Sequence, residues 1–346
     1  MIAEMLGRRL ISIKDGSSGP IYSIHRLLQQ KILTDMEDYG FVDAFRKVFR
    51  LIRKKFPKAD PQQVPGAKSW DTCKEYIPHV YTLHRIYLQN KVNLTSLSDP
   101  TAVEISELFY DAGFYLWARQ STSYDGLAFL ATAESILKTQ RVGFAPKMQA
   151  DIHCMMGMLL LNMGVIERRE GMKRLKDAYD IRQDVYDQNP TMNSDVLLQN
   201  AANDYALCLL NEHKFEEAGE LFRRCRERYL QWGPEEKNPF ENSKFYGNYA
   251  LVYMWRNRMD EAIGFQKKSI ELIEKFSGRT NSYWRKVFML ACILIQNNDI
   301  QGALNLFLEV LSARLDMLGQ HHGETILAVY AVGATYAQIG DPYTAM

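Results

Sequence analysis

The stretch NDYALCLLNEHKFEEAGELF (203–222) decides the fold, because it recurs in altered form as GNYALVYMWRNRMDEAIGF (247–265). In both, a small residue lies in a first apolar segment, a polar turn follows, and an alanine opens an amphipathic run. EEAGELFRRC (216–225), DEAIGFQKKS (260–269) and QGALNLFLEV (301–310) each carry Ala third, at Ala218, Ala262 and Ala303. The frame reaches back to DGLAFLATA with Gly126 and EGMKRLKDA with Gly171, and forward to YTA with Ala345. The intervals of 45, 47, 44, 41 and 42 residues are too regular for chance and mark an internal repeat. Ahead of each landmark lies a second small residue, at Gly113, Gly157, Ala206, Ala250, Ala291 and Gly333. Each repeat therefore reads as two helices, A and B, joined by short polar turns such as NEHKF, RNRMD, QNNDI and IGDPY.

A Gly or Ala on each facing surface lets two helix backbones approach closely, with larger side chains a turn away filling the remaining space. Four places after the landmarks come Leu130, Leu175, Phe222, Gln266 and Phe307, and seven places after come Ala133, Ala178, Cys225, Ser269 and Val310. That i, i+4, i+7 spacing is one helical face, broken only by Gln266. Such pairs cannot bury their apolar faces alone, so they stack.

This pattern resembles the tetratricopeptide repeat, over roughly residues 103–346. The period is longer than the usual 34 residues, which makes it more similar to the long-helix repeats of kinesin light chains. Gly126 and Gly171 depart from the Ala that is usual in the family. The resemblance implies an all-α fold, a right-handed α-α superhelix of about six repeats over 101–346. The chain reaches Met346 as a sixth helix B begins; an uncapped apolar face there suggests truncation, self-association or a partner.

The N-terminal part reads differently. Residues 2–14 suggest a short helix passing into a strand, DGSSGP a turn, and IYSIH the second strand of a hairpin. RLLQQKILTDM and FVDAFRKVFRLIRKKF then read as amphipathic helices. In the second, Phe41, Phe45, Val48, Phe49, Ile52 and Phe56 form an apolar stripe opposite Arg46, Lys47, Arg50, Arg53, Lys54 and Lys55. Pro57 ends it, and a further helical stretch begins at Trp70. The order of these motifs, with Cys73 and PHV at 78–80, resembles the linker between the ATPase module and the tetratricopeptide repeats of fungal NLR-type (STAND) proteins. The resemblance implies a small winged-helix-like α/β segment over 1–40 and a helical linker over 41–100. No G-x-x-x-x-G-K-[ST] phosphate loop occurs in the chain.

Composition fits this organisation. Across 346 residues, 47% are hydrophobic and 24% charged, as in an ordinary folded protein. The net charge of +1 conceals an asymmetry: residues 1–95 carry 16 Lys and Arg against 9 Asp and Glu, and 96–346 carry 26 against 32. Opposite signs in consecutive segments suggest two units meeting near Pro100. No window is long and apolar enough for a membrane span, and MIAEMLGRRL lacks the order of a signal peptide, so we expect a cytoplasmic protein. The five cysteines are scattered without metal or redox spacing, and neither disulfides nor zinc are expected.

Few residues suggest chemistry. GSSG (16–19) has no Lys and opens a strand, so it reads as a hairpin turn. His25 reads as a helix-start residue, and His321, His322 and Glu324 as an inter-repeat loop. His153 and Cys154 point about 100° apart on one helix and read as core or surface residues. Cys208, Cys225 and Cys292 occupy small-residue positions of the repeats and read as core. No catalytic, cofactor or metal site is expected. The six cations of helix 45–56 could meet phosphates, but a solvated face or one docked on the acidic repeats explains them as well, and we do not assign the protein to nucleic acid.

Helix A residues line the concave side of such a superhelix, where peptides are held. Register places Tyr110, Phe114, Asn203, Leu207, Asn248, Leu251, Arg285 and Phe288 there. An amide at 203 and 248 could clamp a peptide backbone through donor and acceptor together. We therefore expect a non-catalytic scaffold for a protein or peptide. An active site in the groove, built from Tyr, Trp and His, and a fragment of an NLR-type protein without a role of its own are the alternatives.

Overall fold

The computed structural model describes residues 7–8, 10–16, 19–59, 69–90, 99–118, 123–139, 146–161 and 163–340. The described residues hold fourteen α-helices and one two-stranded antiparallel sheet. The chain divides into two compact units, one of Met1–Pro57 with Asp71–Ile105 and one of Lys58–Trp70 with Ser106–Met346.

In the first unit, β1 (Ile11–Gly16) pairs with β2 (Gly19–Ile24) in the register Ile11 to Ile24. The strands run further into the expected turn than DGSSGP suggested, leaving only positions 17–18, which lie outside the described residues, as does most of the short helix expected before β1. Helix α1 (Arg26–Asp35) starts on His25, whose Nδ1 accepts from Leu27 N at 3.3 Å; the histidine is an exposed cap. Helix α2 (Asp38–Lys55) buries Phe41, Phe45, Phe49, Ile52 and Phe56, and α3 (Trp70–Gln89) buries Cys73, Val80, Leu83 and Tyr87. The rings of Phe45 and Tyr87 meet at 6.4 Å.

The expected α2 stripe needs one correction: Val48 is 48% exposed. It lies about 100° from Phe49 around the helix, off the line of the buried positions. The basic face is not uniformly free either. Lys47 pairs with Asp43 at 2.8 Å, and Arg53 turns back to donate to Phe56 O at 2.8 Å, closing the helix C-terminus.

The second unit holds the repeat array from Ser106 onward, the first residues of its opening helix belonging to the first unit. Helices α4 (Asp99–Ala118), α6 (Pro146–Leu161), α8 (Met192–Asn211), α10 (Pro239–Trp255), α12 (Asn281–Gln296) and α14 (Gly323–Ile339) are A helices. Helices α5 (Ser123–Thr139), α7 (Val165–Gln188), α9 (Phe215–Trp232), α11 (Met259–Ser277) and α13 (Ile300–Leu318) are their B partners. Ala345, the sixth landmark, lies outside the described residues. Among the described residues no helix is long and apolar enough to cross a membrane.

The small residues do what their spacing implies. Ala206, Ala218, Ala250, Ala262, Ala291 and Ala303 are inaccessible to within 0–1%. Glycine replaces alanine where the helices come closest: a Cβ on Gly157 would stand 2.6 Å from Leu175 Cγ and 3.0 Å from Gly171 O, and one on Gly171 would stand 2.9 Å from Gly157 O. Gly126 faces Gly113 in the preceding pair, where a Cβ on Gly113 would meet Leu130 Cγ at 2.9 Å. The departures at 126 and 171 are thus compensated by glycine on the facing helix.

Three of the seventh-place residues, Ala133, Cys225 and Ser269, bond their B helix to its A helix. Ser269 Oγ donates to Ser243 O at 2.7 Å while Ser243 Oγ donates to Ser269 O at 2.8 Å. Ser106 Oγ to Ala133 O and Cys225 Sγ to Gln199 O repeat the contact elsewhere. Gln266, the one break in the apolar face, is fully buried, and its Nε2 donates to Lys286 O at 2.7 Å.

Three A–B turns share one backbone device. His213, Asn257 and Asn298 have φ of 60°, 58° and 62°. The following N–H groups, of Lys214, Arg258 and Asp299, each donate at 2.9 Å to the carbonyl five residues earlier, on Leu209, Tyr253 and Leu294. This left-handed stop satisfies carbonyls that a helix end would otherwise leave unpaired. His213 further packs edge-on against the stacked Phe215 and Trp255 rings, each 5.7 Å away.

Candidate ligand-binding groove

Five A helices present one face each to a common cavity of about 430 Å³. Residues spaced by three, four and seven supply it: Asp151, Cys154, Met155 and Met158 on α6; Asn200, Asn203, Asp204 and Leu207 on α8; Ser243, Lys244, Gly247, Asn248 and Leu251 on α10; Ser282, Arg285, Lys286 and Met289 on α12. Tyr110, Phe114 and Trp117 of α4 add an aromatic wall, and Arg182, Gln266 and Ile273 reach in from B helices.

Of the eight expected groove residues, Tyr110, Phe114, Asn203, Leu207, Asn248, Leu251 and Arg285 line this cavity. Phe288 lines a second one beside it, with Arg285, Arg314, Glu324 and Leu327. Tyr110 is buried, and burial raises its phenol well above the usual range.

The two asparagines meet. Asn248 Nδ2 donates to Asn203 Oδ1 at 3.0 Å. Asn203 is 1% exposed and its own Nδ2 has no partner. The pair thus offers a spare amide donor on Asn203 and the carbonyl of Asn248, a set that matches a peptide unit. Arg285 is less available than expected: its Nε donates to Glu324 Oε1, which Arg314 also approaches, Nη2 to Oε2, at 3.5 Å. Glu324 is therefore an arginine partner, and its N–H is received by His322 Nδ1, the cap of α14, at 3.2 Å.

Charged groups absent from the sequence expectation line the same walls. Arg182 and Asp151 form a buried ion pair at 2.5 Å, and Arg182 also donates to Leu197 O at 2.7 Å. Lys244 Nζ donates to Asn200 Oδ1 at 2.9 Å. Burial, with Lys244 nearby, lowers the Lys286 ammonium to about 8. Lys244 sits one helical turn from Asn248, which register had picked out, and Lys286 directly follows Arg285. That spacing was the available signal.

The four cysteines of the repeats sit where burial opposes their ionisation. Burial pushes the thiols of Cys154, Cys208 and Cys225 up to about 12 and that of Cys292 to about 11, so none forms a nucleophilic thiolate near neutrality. His153 is buried between Glu134 Oε1 at 3.3 Å and Asp177 Oδ2 at 3.7 Å. Hydrogen bonds from His153 and Arg174 hold the Glu134 carboxyl below the usual range.

Fold and groove together define a tetratricopeptide-like superhelical repeat protein. No protein-family model matches the sequence, and no curated protein matches it. Solved structures do match. The regulator NprR in complex with its cognate peptide NprX is 11% identical, with a TM-score of 0.56, over 91% of this chain and 78% of that one. The Rap conjugation gene regulator of plasmid pLS20, in complex with a Phr peptide, is 15% identical with a TM-score of 0.50 over 88% and 91%. At these identities the likeness establishes the fold.

Proposed function

We propose that this protein is a non-catalytic scaffold that holds a peptide, or an extended segment of a protein, in the concave groove of its repeats. The observation that carries the reading is the Asn203–Asn248 pair, with a buried amide donor left unpartnered at the wall of a cavity lined by aromatic, aliphatic and charged side chains. A buried donor without a partner costs about 1–3 kcal/mol, which a peptide carbonyl would relieve. That both similar repeat proteins were solved with peptides supports the same reading. The hairpin and basic helix before the repeats support an origin in an NLR-type linker, with residues 1–40 and 41–100 as its two parts.

Selection of random octapeptides on the immobilised full chain tests the proposal, beside a variant carrying Asn203→Ala, Asn248→Ala and Arg285→Ala. Peptides enriched on the parent and absent from the variant are expected. Absence of enrichment on the parent, with the fold intact, sinks the reading. The lowered ammonium of Lys286 favours one second reading, a small-molecule site in the same groove; a metabolite that co-purifies with the parent but not with Lys286→Met is its sign.

A further inference from the structure

Lys286 of α12 brings a primary amine into the groove without an acceptor. A Cβ built on Gly247 would stand 2.5 Å from Lys286 Nζ and 2.9 Å from Ser269 Oγ, so glycine at 247 makes the room in which the amine lies. No hydrogen bond or ion pair reaches that nitrogen from the described residues. The charged groups around it answer one another instead. Asp151 of α6 is paired with Arg182 of α7, and Arg285 of α12 with Glu324 of α14, which Arg314 of α13 also contacts. Lys244 of α10, bonded to Asn200, and Asp204 of α8 remain, opposite in sign. From α4 and α6 come Tyr110 and Cys154, both kept protonated by burial, and from α11 only the neutral Gln266 and Ser269. An ammonium at 286 therefore adds a second cation beside Lys244 with no carboxylate left for it, whereas a free amine adds no charge.

Burial and the Lys244 charge both favour the free amine. A desolvated lysine with a cation at its side is the usual form of a nucleophilic amine. The walls of the same cavity, with Phe114, Trp117, Met155 and Met289, suit the aromatic or aliphatic body of a small molecule. A second observation points to a ligand with polar atoms of its own. Gln266 and Asn203, both on this lining and at most 1% exposed, leave Gln266 Oε1 and Asn203 Nδ2 without partners. Gln266 is fixed beside the lysine, since its Nε2 donates to Lys286 O at 2.7 Å.

We infer that the groove captures a small aldehyde covalently, as an imine on Lys286 Nζ, with the body of the aldehyde held among Phe114, Trp117 and Met289. The Nζ lone pair adds to the carbonyl carbon, the π pair moves to oxygen, and a proton passes from nitrogen to oxygen to give a carbinolamine. Expulsion of that oxygen as water, with the second amine proton, forms the C=N bond. One amine and one aldehyde become one imine and one water with no change in oxidation state, so no co-reactant is needed. The imine is neutral, which removes the cost of burying an unmatched cation. This capture goes beyond the peptide reading and does not depend on it.

Benzaldehyde is the probe, sodium borohydride added after a timed incubation is the trap, and the full chain is the sample. Reduction fixes the imine as a benzylamine, which proteolysis and mass spectrometry assign to a residue. Lys286 should be labelled first, at a rate that saturates with benzaldehyde concentration. At pH 7 an amine of about 8 holds roughly 300-fold more free base than an exposed lysine near 10.5. Labelling of Lys286 should therefore level off above pH 8, while surface lysines keep gaining to about pH 10. Lys286→Arg keeps a cation but forms no imine, and Lys286→Met removes both; each should lower total incorporation at pH 7 at least tenfold with the circular dichroism unchanged. Gly247→Ala fills the room beside Nζ and should slow labelling of Lys286 at least tenfold while leaving the amine in place. Mapping on the parent decides the matter even where a variant fails to fold. Label spread over surface lysines with Lys286 no faster than the rest, a rate without saturation, or a rate at Lys286 still climbing past pH 9 overturns the inference. Peptide enrichment without labelling of Lys286 overturns the aldehyde site alone, and labelling without enrichment overturns the peptide reading alone.

Discussion

Asn203 and Asn248 lie 45 residues apart in sequence and share one hydrogen bond, Nδ2 of Asn248 to Oδ1 of Asn203 at 3.0 Å. Because the Asn203 amide keeps an unused buried donor, its removal costs the empty protein little. Asn203→Ala should change unfolding free energy by less than about 1 kcal/mol while weakening a selected peptide about tenfold. Guanidinium denaturation and calorimetry measure the two separately. A large stability loss with unchanged affinity would make the pair a packing feature.

The paired glycines predict a site-dependent cost for one added methyl. At Gly157 the new Cβ meets Leu175 at 2.6 Å and backbone at 3.0 Å, so Gly157→Ala should destabilise by about 1–3 kcal/mol. Gly264 is exposed on α11 with nothing within 4 Å, and Gly264→Ala should stabilise by about 0.5–1 kcal/mol. Chemical denaturation of both variants checks the opposite signs.

The left-handed turns predict that residue type matters at 298 through backbone alone. Asn298→Ala puts a side chain ill-suited to φ near 62° at the stop and should cost about 1 kcal/mol, whereas Asn298→Gly should be neutral or slightly stabilising. Equal melting temperatures for the two variants would contradict this.

Lys286 gives stability a pH dependence of definite sign. Its amine titrates at about 8 when folded and near 10.5 when unfolded, so between those values the unfolded chain binds more protons and stability rises with pH. Below pH 8 both states are protonated and the full penalty of burying the charge is present. Lys286→Met should therefore raise stability by about 1–3 kcal/mol at neutral pH, and the gain should shrink towards pH 10.5. Urea titrations at several pH values decide it.

The Arg182–Asp151 pair is buried on both sides. Arg182→Met leaves a carboxylate whose own burial already opposes its ionisation, and should cost about 3–5 kcal/mol. The double variant Arg182→Met with Asp151→Leu should recover most of that loss. Failure to recover would mean that the Leu197 carbonyl, not the carboxylate, is the critical partner.

The repeat was legible because its determinants are local. Each small residue and its i+4 and i+7 companions lie on one helix, and recurrence at a steady interval separates them from accident. The register also placed Asn203 and Asn248 on facing helices. What stayed hidden depends on pairs distant in sequence. Lys286 has meaning only against Gly247, 39 positions earlier, and the neighbouring Arg285 drew attention although Glu324 already holds it. Gln266 read as a flaw in an apolar face, yet its amide bonds the next A helix. Val48 shows the limit within a single helix, since an apolar residue one position off the seam is indistinguishable by type from one on it.

The left-handed turns at 213, 257 and 298 recur at the same interval as the alanines of the B helices that follow them, so each of these three hairpins carries both its own terminator and its own docking surface. A segment of one full period, cut at a turn, is therefore a self-contained cassette. Duplicating or deleting such a cassette changes the number of rungs without altering the joints between them, whereas an insertion of a few residues inside a helix disrupts two neighbours at once. Length variation in a chain built this way proceeds in whole steps of 41 to 47 residues.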